Sequence, residues 1–295
     1  MTTHPSKREV SHAALDTAAT PPVAGRLRIP TGSLWLTGVL LLVTAVAAGL
    51  TAFGDFLSGP PVMMGSARGT AIVLLVVTGP VAAVAMAVGA SGSARAVVVW
   101  LGALAAIVYN AQMLLYGTPF NSLFLLYVAM LGLSVWSIAW LLLRADVTDA
   151  VAFRVDDWMP VRPIAIYLWV VAVVNAVIWL RAIVPAVFST DPSTVLTGTG
   201  LTTNPVYVQD LALWLPLAIV AGVWLWRRGP AGYLISGALL TMWVIEAISV
   251  AVDQWLGSRA DPASAVASLS MVPAFAVLAV LGLLPLIAHL KHVAP

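Results

Sequence analysis

Gly232-Tyr-Leu-Ile-Ser-Gly-Ala-Leu-Leu-Thr-Met-Trp-Val-Ile-Glu246-Ala-Ile-Ser249-Val-Ala-Val-Asp253-Gln-Trp-Leu256 decides the fold class. The run exceeds the about 20 apolar residues that a helix needs to cross a bilayer, so it reads as a membrane span. Glu246, Ser249 and Asp253 recur at three-, four- and seven-residue intervals, which puts two carboxylates on one helix face. Glu246 is the one acid that falls near the centre of a span. A charge at that depth costs on the order of 3 kcal/mol on insertion scales, so it requires a partner, a proton or water.

The composition agrees with that reading. The chain is 61% hydrophobic and 9% charged, whereas a soluble domain carries about 25% charged residues. The class is an all-α, polytopic helical membrane bundle. A net charge of +2 with no basic cluster gives no footprint for nucleic acid, so the partner implied is the lipid bilayer. There is no cysteine, which removes thiol chemistry and Cys-ligated metals. Lys7 and Lys291 lie outside the spans, and His4, His12, His289 and His292 lie in the tails or the last turn of the last span. Bis-histidine haem, an intramembrane zinc motif and a Ser/His pair are therefore not expected, and no cofactor is implied. Twelve of the 14 basic residues are arginine, and alanine and valine abound, a bias typical of GC-rich bacteria and consistent with a plasma (inner) membrane location.

Residues 1–30 read as a disordered cytoplasmic tail. Eight apolar runs follow, at 34–53, 69–90, 96–117, 122–143, 163–185, 208–226, 232–256 and 270–290. They divide into helices 1–4 within 31–143, a cytoplasmic connection over 144–162, and helices 5–8 within 163–292. With the N-terminus inside, eleven of the 14 basic residues fall on the cytoplasmic side. Arg68, Arg181 and Arg259 fall outside, so both termini are expected to be cytoplasmic. The 144–162 connection reads as a solvated or interfacial segment anchored by Trp158. The loop Ala186–Tyr207, rich in Ser, Thr and Gly, is long enough to fold over the outer mouth.

The halves show signs of a parallel repeat. Arg28-x-Pro30 before Leu34-Trp35 is echoed by Arg162-Pro163 before Leu168-Trp169, and Gln112 near the end of the third span by Gln254 near the end of the seventh. Four spans per half preserve orientation, which excludes an inverted repeat.

Polar side chains accumulate in the outer leaflet: Asn110 and Gln112 in the third span, Asn175 and Arg181 in the fifth, Asp210 at the start of the sixth, Glu246 and Asp253 in the seventh. Together Glu246, Asp253, Arg181, Asp210, Asn110 and Gln112 are expected to line an outward-facing polar pocket serving as a ligand site or proton relay. Plainer roles compete for most of them. Arg181 can snorkel, Asp210 can complement a helix dipole, and Asn110 and Gln112 can bond between helices. Glu246 is too deep to snorkel and too far from either helix end to cap, which leaves a neutral carboxyl bonded to a carbonyl or amide, or an ion pair with Arg181.

Phe120-Asn-Ser-Leu-Phe-Leu-Leu-Tyr127, Asp210-Leu-Ala-Leu-Trp-Leu-Pro216 and Gly232-Tyr-Leu-Ile-Ser-Gly237 resemble bacterial polytopic membrane proteins to which no activity attaches, and the resemblance transfers no functional residue. Three functions are open from the sequence. The first is a small-solute or proton-coupled permease. The second is a non-enzymatic sensor or subunit that binds a small-molecule ligand or a protein from outside. The third, ranked last for want of a nucleophile–base pair, is an enzyme acting on lipid-linked substrate.

Overall fold

A computed structural model describes residue 27 and residues 29–144 and 147–295. Apart from its last residues, the N-terminal tail lies outside the described residues. Eight helices are long and apolar enough to cross a membrane. They are α1 (Thr31–Phe53), α2 (Pro61–Ala90), α3 (Ala94–Tyr116), α4 (Phe124–Arg144), α5 (Val161–Val187), α6 (Pro205–Trp226), α7 (Pro230–Ala260) and α8 (Met271–Lys291). The chain is an all-α, multi-pass membrane bundle.

Several helices start earlier than their apolar runs. Pro61, Pro205 and Pro230 each occupy the first helical position, where a missing N–H breaks no intrahelical bond. As a result Arg68, assigned to a loop on hydropathy, stands in the second turn of α2. Ser93 caps α3 by accepting the Ala96 N–H at 3.2 Å. Both α2 and α6 contain a π turn, at Leu74–Thr78 and Asp210–Trp214, with Pro80 and Pro216 just beyond. Proline offers no N–H and its ring repels the carbonyl four residues back, so the hydrogen-bond ladder slips by one residue there.

α3 and α7 form the centre of the bundle, with 78% and 61% of their most apolar windows buried, against 22% for α5 and 17% for α8 on the rim. α7 packs on α2, α3, α6 and α8, while α1 packs on α4 and α2. Glycines permit the closest crossings. A Cβ at Gly102 of α3 would lie 2.5 Å from the Ala238 carbonyl oxygen, and one at Gly69 of α2 would lie 2.8 Å from the Asp253 Cα. Backbones come this near only where one partner lacks a side chain.

The α2–α3 and α6–α7 hairpins share a single register. Each π turn, each following proline and each second-helix start recurs at the separation that joins Asn110 to Glu246, 136 residues. The two tight turns match as well. Gly92 has φ 102° and Arg228 φ 56°, and their N–H groups donate to Gly89 and Leu225 in the same pattern. Ala82 and Ala85 are buried, and so are their counterparts Ala218 and Ala221. This register differs from the one suggested by Gln112 and Gln254. The counterpart of Glu246 is Asn110, because the extra length of the second half precedes the Asp210–Trp214 π turn.

The connection between α4 and α5 also departs from its expected form. It contains a short helix, Val147–Ala152, whose Val147 and Val151 are fully buried against α7. Beyond it, Asp156 N–H donates to the His292 carbonyl at 3.0 Å and Ala294 N–H to the Arg154 carbonyl at 2.8 Å. Arg95 closes the clasp with two bonds to the Val293 carbonyl, at 2.9 and 3.1 Å. Trp158 keeps its expected exposure, at 87%, and Asp149, Phe153, Asp156 and Asp157 are exposed as well.

Candidate functional site

The site lies where α3 crosses α7. Gly102 lets the two helices meet closely, and two turns further on Asn110 and Glu246 face each other across the contact. Asn110 Nδ2 donates to Glu246 Oε1 at 2.7 Å and to the Ala106 carbonyl of its own helix at 2.9 Å. Ser249 Oγ, one turn along α7, approaches Asn110 Oδ1 at 3.4 Å. All three side chains are buried. The amide thus meets a carboxylate with its donor end and a hydroxyl with its acceptor end, an orientation that satisfies both of its polar atoms.

A second carboxylate stands where the start of α6 meets α3. Asp210 opens the π turn of α6 and is buried rather than sitting in the first turn of an exposed helix end. Trp179 Nε1 of α5 donates to its Oδ2 at 2.9 Å, and the Tyr109 hydroxyl lies beside the same carboxylate. The ring of Tyr109 rests 6.2 Å from that of Trp214, and Trp179 rests 5.1 Å from Tyr207, so aromatic rings enclose the group. Tyr109 joins the two parts of the site: its hydroxyl lies beside Asp210, and the next residue, Asn110, holds Glu246.

Asp253 is half-buried where α7 meets α2, with Ser66 beside its carboxylate and Oδ1 buried without a partner. Its backbone is pressed by Gly69. The structure therefore brings Glu246 and Asn110 into contact and sets Asp210 beside Tyr109, the preceding residue of α3, while Asp253 stands apart on α7 beside Ser66.

It does not bring Arg181 or Gln112 to them. Arg181 is exposed on the rim of α5, and the partner of Glu246 is an amide rather than a guanidinium. Gln112 is half-buried and follows Asn110 by two positions, which turns it to another face of α3. Among the described residues the one salt bridge joins His292 to Asp156 at 2.8 Å, at the end of the bundle where α8 stops. No group of three or more His, Cys, Asp or Glu able to hold a metal occurs among the described residues.

The residues that sequence reading missed are Tyr109, Trp179 and Ser66. Tyr109 adjoins a residue already singled out, yet adjacent helix positions point about 100° apart, so nothing in the sequence joined it to Asp210. The loop Ala186–Tyr207 does lie across this end of the bundle, with Gly198 packed on Val266 and Gly200 on Pro60. Asn204 caps the start of α6 beneath it, accepting the Val206 and Tyr207 N–H groups. An open groove of about 220 Å³ runs between α5 and α6, but Ala172, Val173, Ala176, Leu211, Leu215, Pro216 and Ile219 make it apolar. No family model matches this chain, and neither a curated protein nor a solved structure matches it.

Proposed function

We propose that the protein is a proton-coupled permease for a small solute, with Glu246 as its proton-carrying group. The observation that carries this reading is the Asn110–Glu246 contact, buried at the crossing of the two central helices. Asp210 lies beside the Tyr109 hydroxyl, and Asp253 stands two turns along α7 from Glu246, beside Ser66. A carboxyl buried at such a crossing is stabilised by a proton, a positive charge or hydrogen bonds, and one that takes up and releases a proton there suits a proton relay. Asn110 can hold either form of Glu246. Its N–H₂ donates to a carboxylate, and rotation of the amide presents its oxygen to a protonated carboxyl. Parallel halves meeting at such a pair also suit a transporter, in which one half rocks against the other around a central site.

The test is uptake into proteoliposomes under an imposed inward proton gradient, with a panel of radiolabelled amino acids, sugars and organic acids. The wild type accumulates at least one of them against its gradient. Glu246→Gln keeps the hydrogen bond to Asn110 but carries no exchangeable charge, so it should lose accumulation while retaining solute exchange. Uptake that is equally pH-dependent in both proteins would overturn the role of Glu246.

A further inference from the structure

The turns that close the two hairpins differ in one residue that matters. At the same position of the shared register, the α2–α3 turn has Gly92 at φ 102° and the α6–α7 turn has Arg228 at φ 56°. Glycine takes this left-handed region freely, whereas the Cβ of arginine crowds the following carbonyl there. A residue other than glycine held in that conformation points to a use for its side chain. Arg228 Nη2 donates to the Asp157 carbonyl at 3.2 Å, which ties the turn to the segment leading into α5.

Two further arginines stand at that corner. Arg162, in the first turn of α5, holds its guanidinium carbon 5.4 Å from the ring centre of Trp226, the last residue of α6. Trp226 is itself stacked on Trp169 at 5.5 Å between ring centres, and Trp169 Nε1 donates to the Ile219 carbonyl at 3.1 Å. The guanidinium is therefore seated on a ring that the α5–α6 contact fixes. Arg227 follows Trp226 directly, and all three arginines are exposed. Asp156 is taken by His292, and Asp157 offers Arg228 its carbonyl, so among the described residues none of the three arginines is in a salt bridge. Exposed tryptophans flank them, Trp158 at 87% and Trp224 and Trp226 at 41% each. Tryptophan settles at the headgroup level, which puts these arginines in the plane of the lipid phosphates.

We propose that this corner is a binding site for an anionic phospholipid, whose phosphate is held between Arg162 and Arg228 with Arg227 as the third cation. Guanidinium groups present paired N–H donors that match phosphate oxygens. A zwitterionic lipid brings an ammonium group of its own, which three neighbouring cations repel. The corner lies at the end of the bundle expected to face the cytoplasm, where the leaflet surface is negative. This goes beyond the reading of Glu246, since it uses other residues and stands or falls without it.

The full chain is reconstituted in nanodiscs of phosphatidylcholine mixed with phosphatidylglycerol, and the lipids retained on release are counted by native mass spectrometry. The wild type should retain phosphatidylglycerol in preference to phosphatidylcholine. Arg162→Gln and Arg228→Gly should each cut that preference about fivefold, the effect of removing one arginine from an anionic surface. Arg228→Gly also puts glycine where the turn favours it, so thermal unfolding in phosphatidylcholine alone should not fall, and its lost preference is not lost folding. Arg181→Gln, at an exposed arginine near the other end of α5, should keep the preference of the wild type. Equal retention of the two lipids by the wild type, or a preference left intact in both corner variants, would overturn the site. So would displacement of phosphatidylglycerol by an equal concentration of inorganic phosphate, which would assign the arginines to a soluble anion instead.

Discussion

Glu246 is held by an amide, and that choice of partner shapes what the residue can do. An arginine would fix a permanent ion pair, whereas Asn110 bonds to the carboxyl in either protonation state and imposes no charge of its own. A different kind of partner holds Asp156, outside the spans. The His292 ring approaches both of its oxygens, at 2.8 and 2.9 Å, and this bond, helped by the Trp158 and Met159 N–H groups, holds the carboxyl below the usual carboxylate range. A depressed native value means that the contribution is complete above the unfolded aspartate value of about 3.9 and is lost as pH falls through the lower native one. The clasp between the connection and the C-terminal residues is therefore expected to survive mild acid and to open only below that range. His292→Ala should raise the pH at which the Asp156 carboxyl carbon titrates by NMR, and the Ala294 amide should shift with the same midpoint. An unchanged midpoint would remove the histidine from the account.

At the scale of elements, the α2–α7 crossing depends on Gly69, whose absent Cβ would meet the Cα and N of Asp253 at 2.8 and 2.9 Å. Backbone cannot rotate aside as a side chain can. Gly69→Val should force the helices apart and cost about 1–3 kcal/mol, as overpacking of a tight contact does. Thermal unfolding in detergent measures it, and Gly38→Val, at a position with nothing within 4 Å, is the neutral control. The existence of all eight helices was legible, because hydropathy over about 20 residues reports the lipid environment directly. Their starts were not, since Pro61 and Pro205 extend helices beyond the apolar runs through a backbone preference that hydropathy does not sense. The short helix Val147–Ala152 escaped for a related reason: its buried valines are too few to stand out among the charged residues around them. Within the site, Glu246 was legible from depth alone and Asn110 from its polarity. Tyr109 and Trp179 were not, because a contact between α3, α5 and α6 depends on helix rotation that no single stretch encodes.

Across the whole molecule, the common register of the two hairpins makes a demand that neither hairpin makes alone. If α3 and α7 are related by a pseudo-twofold axis, residues at equivalent positions that touch each other lie on that axis. Asn110 and Glu246 are such a pair, 136 residues apart like the π turns and the helix starts. Gly102 packing on Ala238 is another at the same separation. Exchanging the two side chains should then rebuild the same contact in mirrored order, with the carboxylate on α3 and the amide on α7. Asn110→Glu alone sets two carboxyls against each other at a buried crossing, and Glu246→Asn alone leaves two short amides that reach poorly. Each single change should lose about 1–3 kcal/mol, the cost of a buried polar group left without its partner. The double exchange should recover most of that loss, giving a coupling energy of about 1 kcal/mol or more in a double-mutant cycle read by thermal unfolding. Additive losses would show that the shared register ends short of the site and that Asn110 and Glu246 meet in an environment the two halves do not share. Recovery would instead make the central contact a property of the repeat, so that the helix crossing which packs the bundle is also the one that places the carboxyl at its axis.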